Sequence, residues 1–191
     1  MKSSIITISR QFGSGGHEIG KQLSKRLGYR FYDGELINLA AASSGLPRDF
    51  FHASETHKEA GGGFLAEFAS HNSDKIFAIQ ADIIKQIADT GRCVIVGRCA
   101  DYILESWDAF DIFVHASMDA RVERVSKLHP DWDKLTAVNN ITSTDKARAE
   151  YYNHYTNKSW GQASNYALSI DSSRFGVEGC VDAIAKLVDE C

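Results

Sequence analysis

The sequence predicts an α/β fold in which one five-stranded parallel sheet carries helices on both faces. Short apolar runs, typical of strands that are buried on both faces, alternate with longer runs of helical periodicity. The first of these strands leads directly into a glycine-rich turn that opens a helix. Strands that alternate with helices form βαβ units with right-handed crossovers, which makes the strands parallel. At 191 residues the chain has the length of a single domain.

The individual elements follow from residue type and spacing. Five short runs, rich in β-branched or aromatic residues, are predicted as strands: Ile5–Ser9, Tyr29–Tyr32, Cys93–Gly97, Phe110–His115 and Ala167–Asp171. Apolar residues at helical spacing predict six helices: His17–Leu27, Glu35–Ala42, Asp74–Asp89, Asp119–Lys127, Ser143–Asn153 and Val177–Glu190. The first helix has a clear end, because Gly28 follows two basic residues in its last turn.

Two regions break the alternation of strands and helices. Residues 43–73 contain three consecutive glycines and several phenylalanines, whereas residues 128–164 are polar, aromatic and rich in charge. In α/β domains, insertions after the carboxyl ends of parallel strands are where ligands are bound. We therefore interpret residues 1–191 as one domain with two ligand-side regions and no second core.

Composition and charge argue against several classes of protein. A net charge of −4 provides no general basic surface for a nucleic acid. No apolar run approaches the roughly 20 residues of a membrane span, and no signal peptide is visible, so we expect a soluble cytoplasmic protein. The 4 cysteines and 7 histidines lack metal-ligand spacing. We expect free thiols and no metal site built from these residues.

The most informative segment is the glycine-rich turn after the first strand. It consists of Gly13, Ser14, Gly15, Gly16, His17 and Glu18. Glycines allow successive backbone N–H groups to converge, and the following helix adds the positive end of its dipole. Because such a nest suits phosphate, we predict that Gly13–Glu18 binds the phosphates of a nucleotide. The alternative is a plain strand-to-helix connection.

Neither common glycine fingerprint is matched in full. The dinucleotide pattern GxGxxG lacks its third glycine, which would stand at Glu18, although Asp33 lies at about the distance of its ribose-binding acid. The P-loop pattern GxxxxGK[ST] is not met either. Aligned without gaps, its lysine falls on Gly16.

Several separated motifs, in the right order, resemble the cytidylate kinase-like family. They are Ser9-Arg10 with Gly13–Gly16, then Phe31-Tyr32-Asp33, Gly97–Leu104, Asp145–Tyr152, and the tail residues Trp160-Gly161 and Asn165-Tyr166. The resemblance spans nearly the whole chain. It implies a P-loop kinase-like fold, with residues 43–73 as an acceptor-side insertion and residues 128–164 as a lid. It also implies a kinase that transfers the γ-phosphoryl group of ATP, with Mg²⁺, to a nucleoside monophosphate or a similar small phosphorylated acceptor, CMP-like being favoured.

The resemblance also implies roles for charged residues outside the turn. Arg98 follows a buried strand and, by its motif, would hold the acceptor monophosphate. Asp33 lies in the region that faces the acceptor, where it could instead cap the next helix. Arg124, on the helix after the fourth strand, would reach a phosphate or the lid. Lys146 and Arg148 of the lid would close over the transferring phosphoryl group.

Two departures from ordinary kinases bear on activity. The arginine with which cytidylate kinases hold the acceptor falls at Leu39, so cytidine specificity does not follow. The loop lysine is missing, and Arg10, at the start of the loop, is the replacement we predict. The alternatives are a solvent-exposed Arg10 and a lid that supplies all the charge. Glu18 could meet Mg²⁺ or merely favour the helix N-terminus.

Three functions therefore stay open at this stage. The first is the kinase, with nucleotides as its partners and with its oligomeric state, a homodimer included, undetermined. The second is a nucleotide-binding regulator that has lost catalysis, which the missing lysine favours. The third is a dinucleotide-dependent oxidoreductase, for which the sequence offers no nicotinamide site.

Overall fold

The computed structural model describes residues 4–43 and 73–190, and every structural statement below concerns these residues. The predicted insertion at 43–73 therefore lies almost wholly outside them. The strands are β1 Ile5–Arg10, β2 Arg30–Asp33, β3 Cys93–Val96, β4 Ala109–His115 and β5 Leu168–Asp171. The helices are α1 Gly16–Leu27, α2 Gly34–Ser43, α3 Ser73–Asp89, α4 Ala100–Ile103, α5 Met118–Leu128, α6 Lys134–Thr156 and α7 Ser172–Glu190.

The five strands form one parallel sheet in the order β2-β3-β1-β4-β5. The predicted five-stranded parallel sheet is thus confirmed. In the dinucleotide-binding fold the second strand lies next to the first, whereas here β3 separates them. The strand order consequently argues against the oxidoreductase. Since all strands are parallel, their carboxyl ends meet at one edge of the sheet.

Alternate residues of each central strand face opposite layers of the core. Val94 and Val96 face the side covered by α1 and α7, where Ile184 is fully buried. Cys93 and Ile95 face the side covered by α3 and α4. All four β3 side chains are fully buried, which explains why such strands show no polar alternation in the sequence.

Helix α6 differs most from its prediction. Its 23 residues begin at Lys134, nine positions before the predicted start at Ser143. Asp133 caps it by accepting a hydrogen bond from the Thr136 amide at 2.7 Å. Ala137 and Ile141 are fully buried against α5. This packing offsets the low helix propensity of the asparagines and threonines in the first turns.

Three of the four cysteines lie within the described residues. Cys93, Cys99 and Cys180 are free, as predicted, and all three are buried. Burial raises the pKa of both the Cys93 and the Cys180 thiol to about 11, so neither is a ready nucleophile. Of the helices seen in residues 4–43 and 73–190, none combines the length and apolar character needed to cross a membrane.

Candidate active site

The glycine loop joins the carboxyl end of β1 to the N-terminus of α1. Gly13 and Gly15 have φ values of +74° and +79°, a left-handed conformation that favours glycine. Gly15 is the N-cap of α1 and provides no side-chain cap. The Ser14 hydroxyl donates to the Gln11 carbonyl at 2.8 Å, and the Gly16 amide makes a long contact of 3.3 Å to the same hydroxyl. The amide end of α1 is therefore suited to an anion.

Helix α7 holds the loop from the side of β5. The Ser172 hydroxyl donates to the Ser14 carbonyl at 2.5 Å and lies 3.3 Å from the His115 carbonyl. Ser14 and Ser172 are both almost completely buried. These hydrogen bonds fix the peptide plane on which the loop amides depend.

Helices α5 and α6 hold the opposite side of the loop. Asp145 accepts a hydrogen bond from the Phe12 amide at 2.7 Å and forms an ion pair with the buried Arg121. Arg124 donates to the Gly13 carbonyl, and its guanidinium carbon lies 3.4 Å from the place where a Gly15 Cβ would be. The structure thus places Arg124, a predicted substrate-binding residue, against the glycine loop.

Three arginines converge at the carboxyl ends of β1 and β3. Arg148 of α6 donates to the Arg10 carbonyl at 3.0 Å, and its guanidinium lies 5.6 Å from the centre of the Phe12 ring. Burial lowers the pKa of Arg10 well below its ordinary value, and the nearby charges of Arg148 and Arg98 lower it further. We call Arg10, Arg98 and Arg148 the arginine cluster.

The backbone that carries Arg98 is strained. Gly97, Arg98 and Cys99 have consecutive φ values of +86°, +58° and +54°. Left-handed conformations cost non-glycine residues about 1–2 kcal/mol each and persist where the surrounding structure imposes them. The turn ends in α4 and directs the Arg98 side chain across Gly34, where its Nε lies 3.0 Å from an added Cβ.

Asp33 has two partners at the end of β2. Its Oδ1 accepts from the Leu36 amide at 3.0 Å, which caps α2, and its Oδ2 lies 3.0 Å from His17 Nε2. The His17 hydrogen bond is the main cause that lowers the pKa of Asp33. The cap considered from the sequence is therefore present, and a contact of Asp33 with substrate stays a prediction.

Two other predicted residues lie on the surface. The Lys146 side chain is 76% exposed, with its ammonium nitrogen 3.8 Å from Glu150 one turn further along α6. Glu18 is exposed and accepts a hydrogen bond from Gln22 at 2.7 Å. The structure does not bring Lys146 or the Glu18 carboxylate into the arginine cluster.

A buried polar contact that was not predicted from the sequence attaches α6 to helices α2 and α3. Gln80 of α3 donates to the Asn38 side chain at 2.9 Å and accepts from the Tyr151 hydroxyl at 3.2 Å. Gln80 is fully buried. Because Tyr151 lies three residues after Arg148, the contact sets the position of Arg148 relative to α2. The sequence signal for this contact was an isolated glutamine, Gln80, at a position where helical spacing otherwise places apolar residues.

Known proteins that are similar to this chain include a cytidylate kinase. A family model described as the cytidylate kinase-like family matches residues 5–174. A cytidylate kinase of Methanocaldococcus jannaschii is 26% identical over 190 residues, which is 97% of each chain. An uncharacterized protein from Eubacterium ventriosum has a crystal structure with a TM-score of 0.77 and 28% identity, covering 98% of this chain and 99% of that one.

A more distant structure bears on the fold alone. The shikimate kinase of Bacteroides thetaiotaomicron has a TM-score of 0.58 and 14% identity, with 96% of this chain and 97% of that chain covered. Its likeness supports the P-loop kinase-like fold indicated by the strand order. With the family model matching most of its length, this chain belongs to the cytidylate kinase-like family.

Proposed function

We propose that the protein transfers the γ-phosphoryl group of ATP, with Mg²⁺, to a nucleoside monophosphate, CMP-like being favoured. One observation carries the proposal: three arginines converge beside a glycine loop whose helix has no side-chain cap. The kinases among its relatives support the reaction class.

The charge of the arginine cluster supports a polyanionic ligand. Within residues 4–43 and 73–190, the Arg10 guanidinium forms no hydrogen bond or ion pair with another side chain. The attraction of Asp33 offsets part of its repulsion from Arg98 and Arg148. Both oxygens of that carboxylate already have partners of their own. Donor and acceptor phosphates would supply the missing negative charge.

We assign each predicted site residue a role from its position in the structure. Gly13–Glu18 would bind the donor phosphates through backbone amides, with Arg124 bracing the loop from the donor side. Arg98 would hold the acceptor phosphate, because it follows β3 at the ligand edge of the sheet. Arg10 and Arg148 would contact the transferring group between them. We give the exposed Lys146 a lesser part, as an outer cation of the lid.

The site offers few groups of its own for Mg²⁺. Magnesium in kinases is held mainly by phosphate oxygens and water, with one or two carboxylates. Asp33 is the carboxylate whose charge acts on Arg10, so it would hold a water of the bound ion. Bound Mg²⁺ would neutralise phosphate charge. Glu18 is the weaker candidate, because its carboxylate is bonded to Gln22 along the surface of α1.

The arrangement would catalyse transfer by positioning and by charge. The loop and Arg98 would fix the two phosphates in line, and Arg10 and Arg148 would stabilise the charge that spreads over the transferring oxygens. No nucleophilic side chain is required. Burial lowers the pKa of Arg148 to about 10, so Arg148 stays positively charged at neutral pH.

A nucleotide-binding regulator is the second candidate. The feature that favours it is Gly16, which stands where P-loop kinases carry the lysine. Such a protein would bind nucleotides through the same loop without turning them over. Activity therefore separates the two candidates, and binding alone does not.

The proposal is tested by measuring ADP formation with each common nucleoside monophosphate, after nucleotides that raise Tm have been identified. We expect turnover with at least one monophosphate, dependent on both ATP and Mg²⁺. Arg148→Ala should abolish most of it, whereas Lys127→Ala, a change to an exposed residue of α5, should not. ATP binding without turnover on any monophosphate would favour the regulator. A wild-type chain that binds no nucleotide would contradict both.

A further inference from the structure

Gly16 has no backbone reason to be a glycine. It is the first residue of α1, and its φ lies outside the left-handed region that Gly13 and Gly15 occupy. A glycine within a helix weakens the helix relative to alanine. The explanation therefore has to come from what surrounds the residue.

The side chain of Arg10 provides that explanation. A Cβ at position 16 would lie 2.5 Å from Arg10 Cβ and 3.0 Å from its Cγ. Real Cβ atoms essentially never approach so closely. Arg10 Cβ is attached to the backbone, so rotating the side chain cannot relieve the first contact. A side chain at position 16 would therefore require the backbone to shift as long as position 10 carries a side chain.

A second glycine accommodates the other end of Arg10. The Nη1 atom of Arg10 occupies the space that a Cβ on residue 97 would need. The side chain therefore passes over Gly16 and reaches Gly97, at the end of β3 and next to Arg98. Because Gly16 and Gly97 have no side chains, they leave the space that the Arg10 side chain occupies.

The P-loop pattern contains the same two positions with their residues reversed. In GxxxxGK[ST] the first glycine stands five positions before the second, and the lysine follows the second directly. When the second glycine is Gly15, the first falls on Arg10 and the lysine on Gly16. The chain has its cation where the pattern has a glycine, and a glycine where the pattern has its cation.

We infer that Arg10 and Gly16 are an exchanged pair, in which Arg10 supplies the phosphate contact that the P-loop lysine makes in other kinases. The inference rests on the proposed function, because it concerns the same phosphoryl-transfer site. The arginine stem starts beside the position from which the lysine would project, and its head extends toward Arg98. Its planar fork can bind two oxygens of the transferring phosphate together.

The experiment reverses the exchange. Arg10→Gly should lower kcat at least about a hundredfold, as loss of a transition-state contact does. Arg10→Gly/Gly16→Lys restores the P-loop pattern and should recover at least about tenfold of that loss. The matched control is Arg10→Ala/Gly16→Lys, whose alanine retains the 2.5 Å contact and which should recover nothing.

A second measurement does not depend on fitting a lysine. Guanidinium at millimolar concentration can enter the space that Arg10→Gly leaves, and it should restore part of the rate of that variant without stimulating the wild type. If circular dichroism shows that the double variant is unfolded, rescue of Arg10→Gly by guanidinium becomes the deciding test of the exchange. Failure of both lysine and guanidinium to restore a folded Arg10→Gly would overturn the exchange, as would an Arg10→Gly variant within about threefold of wild type.

Binding of inorganic tripolyphosphate separates this inference from the proposed function. By calorimetry, Arg10→Gly should bind it about tenfold more weakly, and the double variant should regain that affinity. A wild type without turnover, but with this pattern of binding, would refute the kinase and support the exchange. A wild type without turnover and with binding unchanged in Arg10→Gly would refute both.

Discussion

Asp145 in α6 accepts a hydrogen bond from the backbone amide of Phe12 at 2.7 Å, across 133 positions of the chain. The same carboxylate forms an ion pair with Arg121, whose side chain is only 7% exposed. The start of the glycine loop is therefore attached to the predicted lid helix and to α5 by one residue. Movement of α6 would act on the loop directly.

Asp145→Ala should be strongly destabilising. It leaves the Arg121 charge buried and unpaired, and breaking a buried ion pair in this way costs about 3–5 kcal/mol. Urea denaturation should show a loss of that order in the free energy of unfolding, and KM for ATP should rise because the Phe12 amide is released. Glu123→Gln removes an exposed pair with Lys127 and should stay near wild type. Equal effects of the two changes would contradict the role given to Asp145.

Arg98→Ala should raise KM for the acceptor about tenfold to a hundredfold and leave KM for ATP nearly unchanged, since a charge-assisted hydrogen bond contributes about 1.5–3 kcal/mol. Arg98→Gly is the matched variant, because glycine tolerates the φ of +58° at this position. It should lose the same activity, yet be more stable than Arg98→Ala by about 1 kcal/mol. A larger effect on ATP than on the acceptor would move Arg98 to the donor site.

Arg148→Ala and Lys146→Ala should differ sharply. Arg148 is bonded to the Arg10 carbonyl, so its loss should lower kcat by about a hundredfold. Lys146 is exposed, and its loss should change kcat by less than about threefold. Steady-state kinetics with the best monophosphate measures both. A severe Lys146→Ala variant would show that the lid closes further and brings this residue to the phosphates.

The pH dependence of stability should contain a contribution from Asp111. Burial raises its pKa to about 6, although a hydrogen bond of 2.5 Å from Thr7 opposes the rise. An unfolded aspartate has a pKa of about 3.9. Between these values the folded state binds more protons than the unfolded state, so this residue's contribution to stability falls as pH rises from about 4 to about 6.

Asp111→Asn should abolish this decrease in stability with rising pH, because asparagine does not titrate. Relative to wild type, the variant should gain roughly 2 kcal/mol in free energy of unfolding between pH 4 and pH 6, with no further gain above pH 7. Urea titrations at a series of pH values measure the difference. Thr7→Val should shift this decrease in stability to higher pH, because it removes the hydrogen bond that opposes the rise in the pKa of Asp111. Thr7→Ser keeps a hydroxyl group and should cause no such shift. A constant difference across this range would contradict the raised pKa.

The element order was predictable because buried parallel strands consist almost entirely of apolar residues, as Cys93–Val96 shows. Each strand end differs from its prediction by at most one residue. The first turns of α6 could not be predicted, since local propensity there is weak and the helix depends on packing of Ala137 and Ile141 against α5. Gly176, with φ +67° and ψ 178°, interrupts α7 directly before Val177, so the part of α7 after this kink coincides with the predicted Val177–Glu190.

The candidate site was predictable where position along the chain determines position in space. The glycine turn and Arg98 follow buried strands, so their place at the sheet edge follows from a parallel topology. The contact of Asp145 with Phe12 could not be predicted, because it depends on how α6 crosses the loop. The relation between Arg10 and Gly16 was visible in the loop pattern, but its cause required the distances.

The 2.5 Å contact between positions 10 and 16 also constrains how such a loop can arise by descent. Starting from glycine at 10 and lysine at 16, an arginine introduced first at position 10 would meet an occupied space. Losing the lysine first would leave the loop without its cation. Either order passes through an impaired ancestor, so the two kinds of loop are separated by a valley in fitness. A lineage that has crossed it should retain both residues together, and neither should drift alone.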